Sequence, residues 1–459
     1  MADTQTAPRV PKRIAKTLLQ ALQGGVVPRV GLPYIAVGRK AEIEALLGDV
    51  EAVEAGGASC RFIVGSYGAG KSFLLQTIRT YVMDRGFVVA DADLSPERRL
   101  QGTKGQGLAT YRELMQNLAT KTMPEGGALG LVLERWLEGM KEAAARKHSI
   151  DLADPGFQKA LDAEIIGWSM SLSELLHGTE FARVLVAYAR AHDAAAADPD
   201  AGQTLADVLK WLRGEFASRS EAKAALGISL IVTDDNWYDF VKILSRFLTL
   251  AGYRGLFVLI DELVNLYKIP NAVSRSYNYE KLLTIYNDTL QGKARRLGFI
   301  FCGTPQSMED RRRGVFSYEA LRSRLASGSI GSERGLADMR APVIRLEPLT
   351  INELLVLIEK LADIHAGCFG CERTLSIEDL TAFLRAAFDR EGAATHITPR
   401  EIIRDFIELL NLRAAHPEAD WQSLFAKTTE KSSTDRADSE AEVAPAGAAR
   451  RGDLSGFDF

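Results

Sequence analysis

Cysteine is scarce. The 459 residues hold four, Cys60, Cys302, Cys368 and Cys371. That is too few for a disulfide-stapled secreted scaffold, and two of them fall in apolar, strand-like runs, so a reducing cytoplasm is the expected compartment. Long apolar runs are missing as well. No stretch approaches the roughly 20 residues that a membrane-spanning helix needs. The basic residues of "MADTQTAPRVPKRIAKTLL" are followed by no extended apolar core, so neither a signal peptide nor a membrane partner is expected. Charge of one sign is not in excess: 56 Lys and Arg stand against 60 Asp and Glu, a formal net charge of −4. Any contact with nucleic acid must therefore use a local patch rather than the field of the whole protein. What remains is the composition of a globular protein, 46% hydrophobic and 25% charged. A chain of this length can bury a large core without metals or disulfides, and its length suits about two to four domains.

Strand and helix patterns alternate along much of the chain. Residues 11–23 read as a short amphipathic helix stopped by Gly24 and Gly25, and "VVPRVGLPYIAVGRK" as an extended segment. Helical spacing of Ile43, Leu46, Leu47, Val50 and Val53 marks a helix over 41–55. Apolar strands are expected at "RFIV", "FVVADADL", "GLFVLIDEL", "LGFIFCGTP" and "APVIRLEPLT". Helices are expected over "GLATYRELMQNLATKT", 71–85, 236–251, 351–364, 376–389 and 399–413. Between about Gly126 and Gly227 the pattern is helical throughout, with no strand evident. The fold class is therefore α/β, a parallel sheet between helical layers, interrupted by a long helical insertion and followed by a helical domain. The polar, alanine-rich tail from 427 cannot bury enough surface to order itself.

The segment "GSYGAGKS" fits G-x-x-x-x-G-K-[ST]. Glycines let backbone N–H groups turn inward as an anion nest at a helix N-terminus. Lys71 would reach the β- and γ-phosphates and the Ser72 hydroxyl would ligate Mg²⁺. A chance glycine loop is the bland reading, but a strand precedes this one and a helix follows it, as a phosphate loop requires. "LFVLIDE" places Asp261 and Glu262 where a buried strand ends, at the edge of an α/β sheet where ligands bind. One acid can serve the metal and the other the attacking water. Solvated acids capping a strand are the bland alternative.

Thr304 ends "FIFCGT". Its hydroxyl could bond a γ-phosphate or a water, and a threonine opening a turn before Pro305 reads equally well. "RRRGVFSYEALRSRLAS" carries Arg311, Arg312, Arg313, Arg322 and Arg324. Such runs are mostly solvated faces, yet an arginine delivered in cis or in trans aids phosphoryl transfer. Arg322 and Arg324, two apart, point to different sides of a helix, so one at most can act as such a finger. "TPREIIR" opens a helix with Thr398 as N-cap, Pro399 first and Glu401 third. Arg400 lies in that first turn, where a cation is unfavourable to the helix dipole. Function overriding propensity is one reading of such a place; a surface arginine lying over its neighbours is the alternative.

This ordered set resembles the AAA+ P-loop ATPases, in particular the origin-recognition and Cdc6-like branch. "AVGRKAEI" precedes the core, "GSYGAGKS" stands as Walker A, "VLIDE" as Walker B, "FCGT" as sensor 1, "LRSRL" at the arginine-finger position and "TPREIIR" as sensor 2. More narrowly, "LLQALQGGVVPRVGLPYIAVGR" with "RFIVGSYGAGKSFLL" is similar to the ATP-binding proteins of BREX bacteriophage-defence systems. The resemblance implies an AAA+ parallel-sheet P-loop core with a C-terminal helical lid. It implies that Gly65, Ser66, Tyr67, Gly68, Ala69, Gly70, Lys71, Ser72 and Phe73 hold ATP. Ser72 and Asp261 would serve Mg²⁺. Glu262 would activate water, Thr304 would be sensor 1 and Arg400 sensor 2. Arg324 would be the finger with Arg322 in reserve, and Val37, Gly38 and Arg39 would line the adenine through backbone contacts.

The expected divisions are an N-terminal helix and linker (1–36), a core in two parts (37–125 and 228–349), the helical insertion (126–227), a lid (350–426) and a disordered tail (427–459). The expected activity is hydrolysis of Mg-ATP to drive conformational change or assembly in an anti-phage complex acting on DNA. Expected partners are further copies of the chain, other defence-system proteins including a helicase, and DNA. A slow-turnover switch or scaffold signalling through the insertion is the alternative. A small-molecule kinase is disfavoured, because no acceptor motif is visible. Two departures stand out: the insertion has no counterpart in an AAA+ core, and no room for a DNA-reading winged helix follows the last helix. His365, Cys368 and Cys371 make half a zinc site and lack the remaining ligands, so small residues at a helix end are the plainer reading. The terminal "DLSGFDF" could dock by its aromatics or simply fray.

Overall fold

The protein is described here by a computed structural model, for residues 10–194, 198–326, 338–371, 375–389 and 398–416. The expected tail, 427–459, with its terminal aromatic peptide, lies outside the described residues. The chain divides into two compact units, one formed by 38–348 and the other by 1–37 with 349–459.

The larger unit is built on five parallel strands, β1 (Ala58–Gly65), β2 (Val88–Asp93), β3 (Leu256–Asp261), β4 (Leu297–Gly303) and β5 (Val343–Leu346), in the order β2-β3-β4-β1-β5. Sequence-adjacent strands are therefore joined by helices, as parallel pairing requires. β3 and β4 are buried along their whole length, which is why they read as unbroken apolar runs rather than alternating ones. Alternation instead sorts their side chains between two covered faces. Ile63, Val89, Phe257, Leu259, Ile300 and Ile344 pack with Leu46, Val50, Leu74 and Ile78 of the helices Lys40–Glu54 (α3) and Lys71–Asp84 (α4). α3 follows two shorter helices, Lys12–Gln23 (α1) and Leu32–Ile35 (α2). The latter is a helical turn where an extended segment is expected, started by Pro33 in its first turn.

Phe62, Val64, Val88, Val258, Phe299 and Phe301 face the other way. Their layer contains Gln106–Gln116 (α5), Leu129–His148 (α6), Phe157–Ser169 (α7), Gly178–Ala194 (α8), Pro199–Leu212 (α9), Arg219–Leu226 (α10) and Trp237–Leu250 (α11). Aromatic rings join these helices to the sheet side. Trp136 lies 5.1 Å from Trp168 and 5.9 Å from Phe247, and Trp211 lies 5.3 Å from Phe240. Phe240 and Phe247 belong to α11, which is buried nearly all round, so the helical segment and the sheet share one core. α5 is shorter than its periodicity suggests. It stops at Gln116 because Ala119 turns aside to exchange backbone hydrogen bonds with Val89 of β2, N–H to O 3.0 and 2.7 Å.

Between β3 and β4 lie Val264–Tyr267 (α12) and Ala272–Leu290 (α13). α13 runs for 19 residues and is missed by an apolar-periodicity reading. Its inward positions include Arg275, Asn278 and Asp288, whose polar groups are satisfied internally. Asn278 accepts from the N–H groups of Leu100 and Gln101, both at 2.9 Å, and Asp288 pairs with Lys242 at 3.0 Å. After β4 come Pro305–Glu309 (α14), a 3-10 turn at Val315–Ser317 and Glu319–Leu325 (α15).

The second unit packs α1 against Ile351–Phe369 (α16) and Pro399–Ala415 (α18), with Ile377–Asp389 (α17) on α16. Leu18, Leu19 and Leu22 of α1 are buried there. The capping box expected at Thr398 is formed: its side chain accepts from the Glu401 N–H while the Glu401 carboxylate accepts from Thr398. Among the described residues no helix is long and apolar enough to cross a membrane.

Gly298 shows how tightly the sheet is filled. A Cβ there would lie 2.3 Å from the Phe257 ring, which is wedged between strands and α-helical cover. Alanine would gain roughly 0.5–1 kcal/mol of strand propensity but must displace a buried ring. The clash prevails: Gly298→Ala is expected to destabilise the larger unit by about 1–3 kcal/mol, read as a lower urea midpoint. An unchanged midpoint would contradict this packing.

Candidate functional site

Three neighbouring parallel strands, β3, β4 and β1, end at the same edge of the sheet. The glycine loop leaves β1 there, Asp261 closes β3, and Thr304 follows β4. Gly65 is paired with Leu346 of β5 and is closely surrounded, since a Cβ would lie 3.1 Å from those of Ala69 and Leu346. The loop then turns through Gly68 and Gly70, both left-handed, with φ of 81° and 88°. No side chain caps α4, so the amides of its first turn are presented to whatever lies before the helix. Ser66 and Tyr67 are exposed and Ala69 is buried.

Lys71 and Ser72 open α4. The Lys71 ammonium donates to the carbonyls of Gly65 and Ser66 at 3.0 and 2.9 Å, which keeps the cation over the loop. Ser72 Oγ donates to Asp261 Oδ2 at 3.0 Å. The other Asp261 oxygen accepts from the Glu262 N–H at 2.7 Å. Asp261 is thus a buried carboxylate held by two donors. Glu262 is exposed and left-handed, with φ of 63°. A non-glycine residue pays a strain cost in that region, and the turn separates its side chain from that of Asp261. Leu263 re-anchors the chain immediately, its N–H donating to Cys302 O at 3.0 Å.

Thr304 is the N-cap of α14 in a reciprocal box with Ser307, whose N–H donates to Thr304 Oγ1 at 3.1 Å. The hydroxyl therefore has a structural job at the site's edge. Arg39, expected to line the adenine through backbone contacts, buries its guanidinium against Glu42 Oε1, Ala69 O and Glu347 O, at 3.1, 2.8 and 2.6 Å. Gly38 is exposed and left-handed, and Val37 belongs to the other unit.

The remaining arginines stand on other elements, Arg322 and Arg324 on α15 and Arg400 on α18. Arg322 pairs with Glu319 one turn away, and exposed Arg324 donates to Ala320 O of its own helix at 2.6 Å. Of the run 311–313, Arg313 is half-buried, over the Tyr267 ring at 5.3 Å, and Arg311 and Arg312 are exposed. Arg400 stands on α18 in the other unit, its stem over Gly25. His365 is buried there, 3.0 Å from Asn411 Oδ1 and with its ring tilted against that of Phe369, centroids 4.6 Å apart. Burial holds its pKa below the usual histidine value. Among the described residues no group of three or more His, Cys, Asp or Glu side chains could hold a metal.

The sequence-derived set lacks one acid. Asp93 ends β2 directly beside Asp261 in the pairing register. Desolvation, followed by the charges of Asp261, Asp91 and Glu262, pushes its carboxyl up to about 6. Its signal was an apolar strand ending in an acid, as β3 does.

The sequence model of the family described as BREX system ATP-binding protein BrxC/D matches residues 10–429. The chain belongs to this family. That match spans both units and every element of the site. No curated protein is detectably similar to the chain in sequence. Family membership makes this an ATP-binding protein of a BREX defence system, and the glycine loop is the part of the chain whose chemistry suits a nucleotide's phosphates.

The raised Asp93 pKa fixes the sign of a pH effect. An acid that binds its proton more tightly when folded stabilises the fold at low pH. That contribution is lost as pH rises through about 6. Asp93→Asn is therefore expected to melt at a higher temperature than the parent at pH 7.5, the two curves converging near pH 4. Equal melting temperatures across the range would remove Asp93 from the electrostatics of this edge.

Proposed function

We propose that this BrxC/D-family chain is an AAA+ ATPase that hydrolyses Mg-ATP to drive conformational change or assembly in its BREX complex. The observation that carries the reading is the linked trio at the sheet edge: Ser72 bonded to Asp261, Asp261 bonded to the Glu262 backbone, and Glu262 turned out by a left-handed residue. A passive nucleotide holder needs the loop alone. A second, separately aimed carboxylate suits hydrolysis.

The fit to Mg²⁺ can be judged from the donors. Ser72 Oγ and Asp261 Oδ2 are hard oxygens 3.0 Å apart, the donor type Mg²⁺ takes. When bound, the ion would neutralise phosphate charge. Lys71, already suspended over the loop, would exchange its carbonyl partners for phosphate oxygens. The first-turn amides of α4 would orient the same group. Glu262 would accept a proton from the attacking water, and Asp261 would keep its place through its two donors. Thr304 would stand near that water as sensor 1.

In this reading residues 38–348 form the core with its helical insertion, and 350–426 form the lid that brings Arg400 as sensor 2. Arg324, exposed and donating to Ala320 O of its own helix, would serve a neighbouring copy as the finger, with Arg322 in reserve. A homo-oligomer is thereby implied. Other BREX proteins, a helicase among them, would receive the work, and DNA would be met through the complex or through Arg311 and Arg312.

Glu262→Gln is expected to bind ATP normally and to lose turnover by about 10²–10⁴-fold. Lys71→Ala is expected to weaken both binding and turnover. Equilibrium titration with a fluorescent ATP analogue and steady-state phosphate release read the two quantities separately. Unchanged phosphate release by Glu262→Gln would end its assignment as the base.

A further inference from the structure

We infer that Arg39 is a positioning residue that ties the phosphate loop to both places where the chain passes between its two units. The proposal rests on the ATP-site reading above, and gives the Arg39 side chain a role that the backbone-contact expectation did not.

The chain crosses between units twice, from Val37 to Gly38 and from Pro348 to Leu349. Arg39 stands just after the first crossing and Glu347 just before the second. One guanidinium nitrogen, Nη2, donates to Glu347 O at 2.6 Å and to Ala69 O at 2.8 Å. The other, Nη1, meets Glu42 Oε1 at 3.1 Å in the first turn of α3. Arg39 and Glu42 are only 6% and 8% exposed. A buried guanidinium is tolerable when its charge is paired and its protons are accepted, and this one obtains acceptors from three separate segments. Its planar fork can do so where a lysine's single ammonium cannot keep the same directions.

Ala69 lies between the two left-handed glycines of the loop. In a planar trans peptide the Ala69 carbonyl and the Gly70 N–H point in opposite directions. Holding the carbonyl therefore sets the direction of an amide at the start of α4, the part of the loop a phosphate would meet. The far end of β5 is already close to the same loop, because a Cβ on Gly65 would lie 3.1 Å from Leu346 Cβ. A change in the loop on phosphate binding thus has a short, charged connection to residues 346–348, and through Arg39's own backbone to 37–39. Arg39 touches no phosphate in this scheme. It transmits the loop's state to the two connecting segments.

Hydrogen–deuterium exchange on the full chain tests this, with and without a non-hydrolysable ATP analogue. In the parent protein the analogue should slow exchange both at 65–73 and at 343–348. Arg39→Lys should keep the protection at 65–73 and lose it at 343–348. Glu42→Gln removes the buried counter-charge but leaves both carbonyl bonds, and should keep protection at both places. Retention at 343–348 in Arg39→Lys would overturn the proposal. So would loss in both variants, which would mean general loosening. Should Arg39→Lys not fold, Arg39→Gln, whose amide cannot bridge both carbonyls and Glu42, is read by the same criteria. Absence of protection at 65–73 in the parent would instead defeat the ATP reading. The clamp is then judged without nucleotide. The Arg39 variant must exchange roughly tenfold faster at both 66–70 and 343–348, the scale of one lost charge-assisted hydrogen bond, and unchanged rates would overturn it.

Discussion

Parallel pairing of β3, β4 and β1 is the constraint on which the rest of the molecule depends. It ends three strands at one edge and sends each chain onward there, one into the glycine loop, one into the acid pair, one into α14. Parallel strands must be joined by crossings that return over a face, so helices cover both sides and the strands are buried. The apolar strands and the polar edge are thus two results of one arrangement. The Ser72–Asp261 bond closes it, joining residues 189 positions apart in sequence.

The polar edge is held together by opposing tendencies. Asp93, Asp261 and Glu262 put three carboxylates near the ends of two paired strands. Lys71 and the buried Arg39 bring positive charge to the loop at different carbonyls, Lys71 at those of Gly65 and Ser66 and Arg39 at that of Ala69. Loop carbonyls accept both cations, which leaves the loop's amides for an anion. Carboxylates in such proximity disfavour ionisation of one of their number, and Asp93, the member outside the Ser72–Asp261–Glu262 chain of bonds, carries the raised pKa. A cation placed among these acids would relieve that repulsion.

Much of this was legible in the sequence because the signals were local. A strand, a glycine loop and a helix start in succession at 58–84, and an apolar run ends in two acids at 261 and 262. The expectations that fell short depended on distant partners. α13 escaped because three of its inward positions are Arg275, Asn278 and Asp288, whose cost of burial is met by backbone groups near 100 and by Lys242. α5 was read too long because its stop is a pairing with Val89, some 30 residues earlier. Arg39 was expected to line the adenine through its backbone, and nothing nearby in sequence states that Ala69 and Glu347 will accept its side-chain protons.

By itself the sequence determined the α/β class, the glycine loop between a strand and a helix, the acid pair at a strand's end and the cap of the helix at 399. Each follows from residue types a few positions apart, where backbone geometry and hydrogen-bonding capacity leave few choices. Only the tertiary structure decided that Asp93 stands beside Asp261, that Thr304 spends its hydroxyl on Ser307, and that Arg39 reaches two carbonyls in addition to Glu42. It also decided that the helices of 129–226 share a core with the sheet, through the aromatic contacts of α11. Those are choices among many acceptors and many apolar neighbours, and they are settled by which surfaces the parallel sheet brings within reach.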